Sequence, residues 1–358
     1  MRAVLMAAVV AVGFAGSALA GPPECTCRNL ESLQQDYQNA VFLEGYMRKL
    51  AEILAAEETR LTGLKNSSNS DPDSDVSILT RTANMRDAYR NENLNLPFPT
   101  VAGYTGPESV PMPFGTCQQE QALLDAMENG SPCAAIAAAA LNHERGHRDL
   151  CNALGATAYW DRLLSVKTLE EADMYKQQAS DLKAELRRVL DVSKVELVGS
   201  WRHTVDAQGQ MVATYLEETQ SGDIGAPSGG DTWTMTGQGN SSTTIESAKI
   251  AGMNCTPNGS INHDIDVAMT TDGLTFGLET QTRRTAGDVS LKCKGGFGMS
   301  MPTNDTGSGT VATNQPLVAG DNPLPAEWAE TIKAMMSAGG VTITGEPDYK
   351  LVVSCEAP

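Results

Sequence analysis

The sequence predicts an α+β protein in which a mostly helical domain over residues 21–194 precedes a β-rich sandwich or barrel over residues 195–358. Apolar residues recur at three- and four-residue steps through much of the first half, which is the period of an amphipathic helix. Past Lys194, short apolar runs are separated by clusters of Gly, Asn, Ser and Asp, which is typical of strands and turns. A length of 358 residues is sufficient for two domains.

Residues 1–20 predict a secretory signal peptide. They contain one early arginine, a short apolar run from Val4 to Phe14, and small residues that end at Ala20, before Gly21. The alternative is a membrane anchor, but the apolar run is shorter than a membrane span needs. We therefore expect a secreted or periplasmic protein with no membrane span after the signal peptide is cleaved.

The charge of the chain narrows the range of partners. The formal net charge is -18 at pH 7 and the sequence pI is about 4.6. Binding to nucleic acid or to an anionic membrane surface requires clustered Lys and Arg side chains, and the sequence contains no such cluster. Nucleic acid is therefore not an expected partner, and the sequence leaves the oligomeric state open.

The cysteine content agrees with export. An even number of cysteines in an exported chain predicts disulfide bonds formed in an oxidising compartment. Five cysteines precede residue 195 and three follow it, so an odd number of bridges must join the two halves if all of them pair. The eight positions are Cys25, Cys27, Cys117, Cys133, Cys151, Cys255, Cys293 and Cys355.

Five helices are expected before residue 195, and local signals set their boundaries. A polar loop at residues 65–73 ends the first helix, and Gly155 ends the fourth. Thr168 and Glu171 form a capping box at the start of the fifth. The predicted helices cover residues 29–64, 78–91, 117–127, 133–154 and 169–189, and five prolines at positions 97 to 113 predict an irregular segment between the second and third.

The second half is expected to contain seven strands and one late helix. The strands are predicted from β-rich runs bounded by turn residues. They cover residues 195–200, 211–217, 231–235, 264–269, 274–280, 289–293 and 349–354, and the helix covers residues 325–337.

The pattern His-Glu-x-x-His occurs at residues 143–147, within the fourth predicted helix. Residues four apart lie on one face of a helix, so His143 and His147 can present two imidazoles to one zinc ion. Glu144 lies beside them, where its carboxylate can act as general base toward a metal-bound water. The alternative is a solvated helix face on which two histidines happen to fall at helical spacing.

The third zinc ligand is not given by the motif itself. The metzincin continuation requires Gly and His at the positions occupied by Leu150 and Ala153, so that family is excluded. Cys151 shares the helix face, but His143, His147 and Cys151 span about 12 Å of helix axis, too far for one ion. Cys151 is therefore better interpreted as a disulfide partner.

The remaining source of a third ligand is a carboxylate on the next predicted helix. Glu170, Glu171 and Asp173 lie 23, 24 and 26 residues past His147, which leaves enough chain for that helix to turn back. His203 and His263 lie in the β-rich half. Asp264 and Asp266, beside His263, are equally consistent with a solvated turn.

At this point residues 130–190 resemble the gluzincin-type zinc metallopeptidases, in particular small secreted bacterial proteins with HExxH followed by Glu-x-x-x-Tyr. The resemblance implies a zincin-like helical domain that binds Zn²⁺ and acts on a peptide or protein substrate. It implies Glu171 as the third ligand, with Glu170 as the alternative. It also implies that Tyr175, one turn further along, contacts the oxyanion or orients Glu171, although a packed helix tyrosine is the alternative.

Two functions are therefore expected from the sequence. The first is an exported zinc metallopeptidase with Glu144 as general base. The second is a non-catalytic secreted or envelope-associated binding protein in which the zincin-like site is only structural. The N-E-x-x-S-D segment of thermolysin-like enzymes is absent, so the resemblance implies no particular substrate.

Overall fold

A computed structural model describes most of the chain between Arg28 and Ser354. The described ranges are 28–70, 95–103, 129, 133–294, 298–301 and 306–354. The predicted signal peptide and the predicted helices at 78–91 and 117–127 lie outside these ranges. The chain divides into two compact units, one formed by Gln35–Ala184 and the other by Met1–Gln34 with Glu185–Pro358.

The first unit is built on two long helices that lie side by side. Helix α1 covers Arg28–Ser70 and helix α2 covers Cys133–Asp191. The side chain of Ser165 on α2 donates a hydrogen bond to the carbonyl oxygen of Ala51 on α1 at 3.1 Å. Leu61 of α1 packs against Leu154 of α2, so residue numbers rise along one helix as they fall along the other. The two helices are therefore antiparallel.

Buried apolar side chains hold this helical pair together. The main cluster joins both helices to the irregular segment at residues 95–103, as five prolines in this region had suggested. Its members are Tyr46, Met47, Leu50, Leu54, Leu164 and Ala172, with Leu96, Phe98, Val101 and Tyr175 packed against them. None of the described helices contains an apolar stretch long enough to cross a membrane.

The predicted multi-helix, zincin-like domain is contradicted by the length of α2. A single helix of 59 residues replaces the two helices expected on either side of Gly155. Thr168, expected to cap a new helix, lies mid-helix and donates its hydroxyl to the carbonyl oxygen of Leu164 at 2.7 Å. Helix α1 likewise continues to Ser70, through residues predicted to form a polar loop.

Gly155 marks a close contact between helices rather than a helix end. A Cβ atom at this position would lie 2.9 Å from the Nζ atom of Lys65 on α1, and the backbone φ is not in the left-handed range. One glycine inside a helix costs about 1 kcal/mol relative to alanine. Packing against α1 outweighs that cost, so the helix continues.

Gly155→Ala tests whether the helix is continuous. We expect the free energy of unfolding to rise by up to about 1 kcal/mol, because alanine favours a helix interior and the terminal atoms of Lys65 can move aside. Urea denaturation followed by circular dichroism measures the change. A loss of about 1 kcal/mol or more would indicate instead that Gly155 ends the helix in a conformation only glycine tolerates.

Among its described residues, the second unit contains twelve strands and helix α3, which covers Glu327–Ala338. The strands are β1 (Lys194–Ala207), β2 (Met211–Ser221), β3 (Trp233–Ile250), β4 (Met253–Asn258), β5 (Ser260–Thr271), β6 (Thr275–Ala286), β7 (Val289–Cys293), β8 (Gly298–Met301), β9 (Thr306–Pro316), β10 (Gly320–Pro323), β11 (Val341–Thr344) and β12 (Pro347–Ser354).

All twelve strands belong to one antiparallel sheet that curls into a half-barrel. The hydrogen-bonded order is β10-β12-β1-β2-β3-β4-β7-β8. Strand β5 pairs with another part of β3, followed by β6 and β9, and β11 pairs with β1. The prediction of a sandwich or barrel is therefore wrong. The long strand β3 pairs with β4 at one end and with β5 at the other, so the single sheet has two branches and forms a half-barrel.

One face of the sheet is buried, and two apolar clusters lie on it. Helix α3 covers the first cluster, in which Trp201 of β1 and Tyr349 of β12 pack against Ala329. The second cluster joins β2, β3, β4, β5 and β7 and contains the Cys255–Cys293 disulfide. This pairing leaves Cys355 as the one remaining cysteine of the second half.

Candidate functional site

The motif at residues 143–147 lies within the continuous helix α2. The helical backbone places His143 and His147 one turn apart on the same face, as the sequence had suggested. The side chains of His143, Glu144 and His147 lie outside the described part of the structure. The backbone therefore fits the two-histidine half of the expected zinc site.

The expected third ligand lies far along the same helix. Glu171 follows His147 by 24 residues with no turn between them. At 1.5 Å per residue this is about 36 Å of helix axis, whereas zinc ligands lie about 2 Å from the metal. In this conformation Glu171 cannot bind the same ion as His147, and Glu170 is excluded for the same reason. Binding of Glu171 to the same ion as His147 requires a turn after Gly155, and the helix continues there without one.

Glu171 and Tyr175 are half-buried on helix α2 and lie far from the motif. Burial is the main cause of a raised pKa for Glu171, and burial followed by the nearby Glu171 charge raises the pKa of Tyr175. Tyr175 packs against the main apolar cluster of the helical pair. Glu170 is exposed and forms a salt bridge with Lys167 at 3.1 Å. Tyr175 thus matches the alternative of a packed helix tyrosine, far from the motif.

The described residues contain no other arrangement suited to a metal. No group of three or more His, Cys, Asp or Glu side chains able to hold an ion occurs within the described ranges. The two remaining histidines, His203 and His263, both lie on the buried face of the β-sheet, on β1 and β5. The same face also carries the titratable side chains of Tyr215, Glu217 and Tyr349.

A row of adjacent residues crosses four strands of that face. Pairing between strands places Tyr349 beside Gly199, Gly199 beside Thr219, and Thr219 beside Ser241. The ring of Tyr349 lies directly over Gly199, where an added Cβ would be 2.5 Å from the Cδ1 atom of Tyr349. Glycine at position 199 therefore allows the tyrosine side chain to cross strand β1 and reach β2.

Four polar side chains, those of Tyr349, Thr219, Ser241 and Glu217, lie next to one another on this face, and we call them the hydroxyl–carboxyl ring. Thr219 donates to Ser241 at 3.2 Å, and Ser241 donates to the carboxyl oxygen Oε1 of Glu217 at 3.4 Å. Tyr349 lies close enough to Glu217 and Thr219 for both residues to affect its pKa. The four residues join strands β12, β2 and β3 across the buried face.

Burial perturbs the titration of this ring. Removal from water is the main cause of a raised pKa for Glu217, and hydrogen bonds from Tyr349 and Ser241 and the charge of His263 only partly oppose it. The pKa of Tyr349 is also raised, by burial and then by the charge of Glu217. Both shifts favour the neutral form of each group.

An aromatic stack lies next to the ring on the same face. His203 lies between Trp201 and Tyr215, with ring centroids 4.4 Å and 5.3 Å away. Trp328 of α3 meets Trp201 edge to face at 5.3 Å and Tyr349 at 5.7 Å. Burial lowers the pKa of His203, so the imidazole is held in its neutral form within this stack.

The residue pattern of strand β2 contains a signal for the hydroxyl–carboxyl ring. In strand β2, Ala213, Tyr215, Glu217 and Thr219 alternate with the other residues and so share one face. Ala213 and Thr219 are buried, which places Glu217 in an inward position. A glutamate at an inward position of a strand is unusual enough to mark a candidate site.

Comparison with known proteins gives no independent guide. No family model, curated protein or solved structure matches this chain. The function is therefore inferred from the two groups of residues described above.

Proposed function

We propose that the protein is an exported zinc-dependent metallopeptidase whose site is formed by residues 143–147. The observation that supports this proposal is the helical backbone over the whole motif, which gives the two histidines a common face and places Glu144 beside them. Neither the nucleic-acid-binding nor the membrane-binding class suits a chain with a net charge of -18.

Each of the three motif residues has a separate role in the proposed reaction. His143 and His147 each provide one ring nitrogen as a metal ligand. When bound, zinc acts as a Lewis acid and lowers the pKa of a water molecule toward neutrality. Glu144 would serve as the general base toward that water and as the general acid toward the leaving amine.

The proposal takes the third protein ligand from a residue other than Glu171. Separation by about 36 Å along α2 removes Glu171 and Glu170 from the site in this conformation. The usual ligand set of two His and one Glu or Asp would then require a carboxylate from another segment of the chain.

A second candidate is a non-catalytic binding protein in which the motif is only part of a long helix. The observation that favours it is the same separation. The family resemblance implies Glu171 and Tyr175 for catalysis, but both are half-buried far along α2 from the motif, and Tyr175 packs against the apolar cluster of the helical pair. The two candidates differ in whether the mature protein binds zinc at all.

Zinc content measured on purified mature protein separates the two candidates. We expect one equivalent of zinc in the wild type, loss of that zinc in His147→Ala, and full retention in Glu171→Ala. Glu171→Ala is a matched control because it removes an acidic side chain from the same helix. A wild type without zinc would exclude the metallopeptidase. Loss of zinc in Glu171→Ala would instead show that α2 bends in the metal-bound protein.

A further inference from the structure

We propose that a polar trough on the outer face of the β-sheet, opposite its buried face, binds a neutral oligosaccharide. The trough has a volume of about 660 Å³ and crosses strands β3, β5, β6 and β9. Sites for small molecules usually have volumes of about 300–1,000 Å³, and the trough lies within that range. The inference is independent of the zinc site, because every residue that lines the trough lies on the β-sheet.

The register of the sheet places four polar side chains in one row across the trough. From β3 to β9 the row consists of Gln238, Asp266, Gln281 and Ser308. Neighbouring strands lie about 4.8 Å apart, so the row spans ~14 Å. It presents two amides, one carboxylate and one hydroxyl, all of which form hydrogen bonds.

A second row runs beside the first, two residues further along each strand. From β3 to β9 it consists of Thr236, Ala268, Glu279 and Thr310. Residues two apart on a strand share a face and are separated by about 7 Å. The two rows therefore form a surface of about 14 Å by 7 Å, in which Ala268 provides the one apolar side chain.

Packing behind the trough holds its floor in place. Val267 and Leu278 alternate with the residues of the two rows, point to the buried face, and are 2% and 0% exposed. Strand β3 is hydrogen-bonded along both edges here, to β5 on one side and to residues 222–225 on the other. Groups that are fixed before a ligand arrives lose less conformational entropy when it binds.

The carboxylate of Asp266 is also fixed within the first row. The Nε2 atom of Gln238 donates to its Oδ1 atom at 2.9 Å, and Arg283 donates to its Oδ2 atom at 3.0 Å. These contacts neutralise Asp266 and orient the amide of Gln238. By contrast, the side chains of Gln281 and Glu279 form no hydrogen bond with any residue that the structure describes, so their polar atoms are available to a ligand.

The chemistry of the two rows distinguishes between classes of ligand. Neither row contains a Lys or Arg side chain to bind an anion, or an aromatic side chain to bind an apolar molecule. Since Arg283 pairs with Asp266, Glu279 is the one carboxylate of the rows without an ion pair to a described residue, which is too little charge to select a cationic peptide. Amides, hydroxyls and carboxylates instead suit sugar hydroxyls, each of which both donates and accepts hydrogen bonds.

Calorimetric titration of the mature protein with five neutral oligosaccharides tests the proposal. The probes are cellotetraose, maltotetraose, xylotetraose, mannotetraose and N-acetylchitotetraose. We expect at least one of them to bind with a Kd below about 1 mM. That Kd should be the same at about 0.05 M and about 0.5 M NaCl, because salt does not screen the hydrogen bonds of an uncharged ligand.

Gln281→Ala locates the binding within the trough. We expect this variant to raise the Kd about tenfold, because one or two hydrogen bonds to the ligand are lost. Gln210→Ala is the matched control, since Gln210 is an exposed glutamine in the turn between β1 and β2, outside the trough. Its Kd should equal that of the wild type. Both glutamines are exposed, and circular dichroism checks that both variants fold.

Three results would overturn the proposal. The first is failure of all five oligosaccharides to bind, and the second is an equal Kd for Gln281→Ala and the wild type. The third is binding of tetralysine, titrated in parallel, without binding of any oligosaccharide. Loss of that binding at high salt and in Glu279→Gln would then assign the trough to a cationic peptide.

Discussion

Glu144→Gln is expected to lower kcat/KM for peptide hydrolysis by about 10² to 10⁴, the range attributed to one general base. Glutamine keeps the size of the side chain and cannot accept the proton of the attacking water. Because Glu144 is not assigned as a ligand, the zinc content of the variant should equal that of the wild type. Hydrolysis of a quenched fluorescent peptide library, with metal content measured on the same samples, provides both values.

Glu170→Gln is the matched control for this variant. Glu170 lies on the same helix but is exposed, and its salt bridge with Lys167 is a surface pair. Its activity should match that of the wild type. If Glu144→Gln retains full activity, Glu144 is not the general base. Equal losses in both variants would point to a general effect on helix α2.

Arg60→Ala is expected to cost about 3–5 kcal/mol of unfolding free energy, the range found when one partner of a buried ion pair is removed. Arg60 makes two hydrogen bonds to the carboxylate of Glu57, at 3.0 Å and 2.7 Å. The Glu57 side chain is only 1% exposed, so its charge would remain buried after the arginine is removed. Chemical denaturation measures the loss.

Arg48→Ala provides the comparison for that experiment. Arg48 lies on the same helix and forms salt bridges with Glu44 and Asp173, but its side chain is 40% exposed. Exposed pairs contribute about 0–1 kcal/mol, so a small change is expected. Similar losses in the two variants would mean that the buried position of Glu57 does not determine the energy.

The sequence predicted the approximate positions of the helices and strands better than the residues at which each helix begins and ends. Helix α1 was expected from its apolar spacing, and β1 begins at Lys194, next to the expected start. Gly155 and the Thr168–Glu171 pair misled the boundary prediction, because both also occur inside a helix when a neighbouring helix provides packing. Local signals for a helix end cannot show whether another helix lies alongside.

Several strands were missed for a different reason. Strand β9 has the sequence TGSGTVATNQP, in which Gly, Ser and Asn are typical of turns. It is a strand because it pairs with β6 along most of its length. Hydrogen bonding to a distant strand overrides the local preference of these residues for turns. The local sequence does not show which distant strand will be the partner.

The same distinction between local and long-range information applies to the candidate sites. The pair His143 and His147 could be found from spacing alone, since helical geometry fixes which residues share a face. The third ligand required knowing how two segments fold together, and a continuous α2 removes Glu171. The hydroxyl–carboxyl ring brings together Glu217 and Tyr349, which are far apart in sequence, so only the sheet register reveals it.

The continuity of α2 in the zinc-loaded protein is the central structural claim, and a distance between two spin labels tests it most directly. Labels at the exposed positions Arg145 and Leu169 lie 24 residues apart on α2. A continuous helix predicts a separation of about 36 Å. A helix that turned back at Gly155 would bring its second half to an axis distance of about 10 Å. A distance near 36 Å supports a zinc site without Glu171; a distance far below it would contradict this account and restore Glu171 as a ligand.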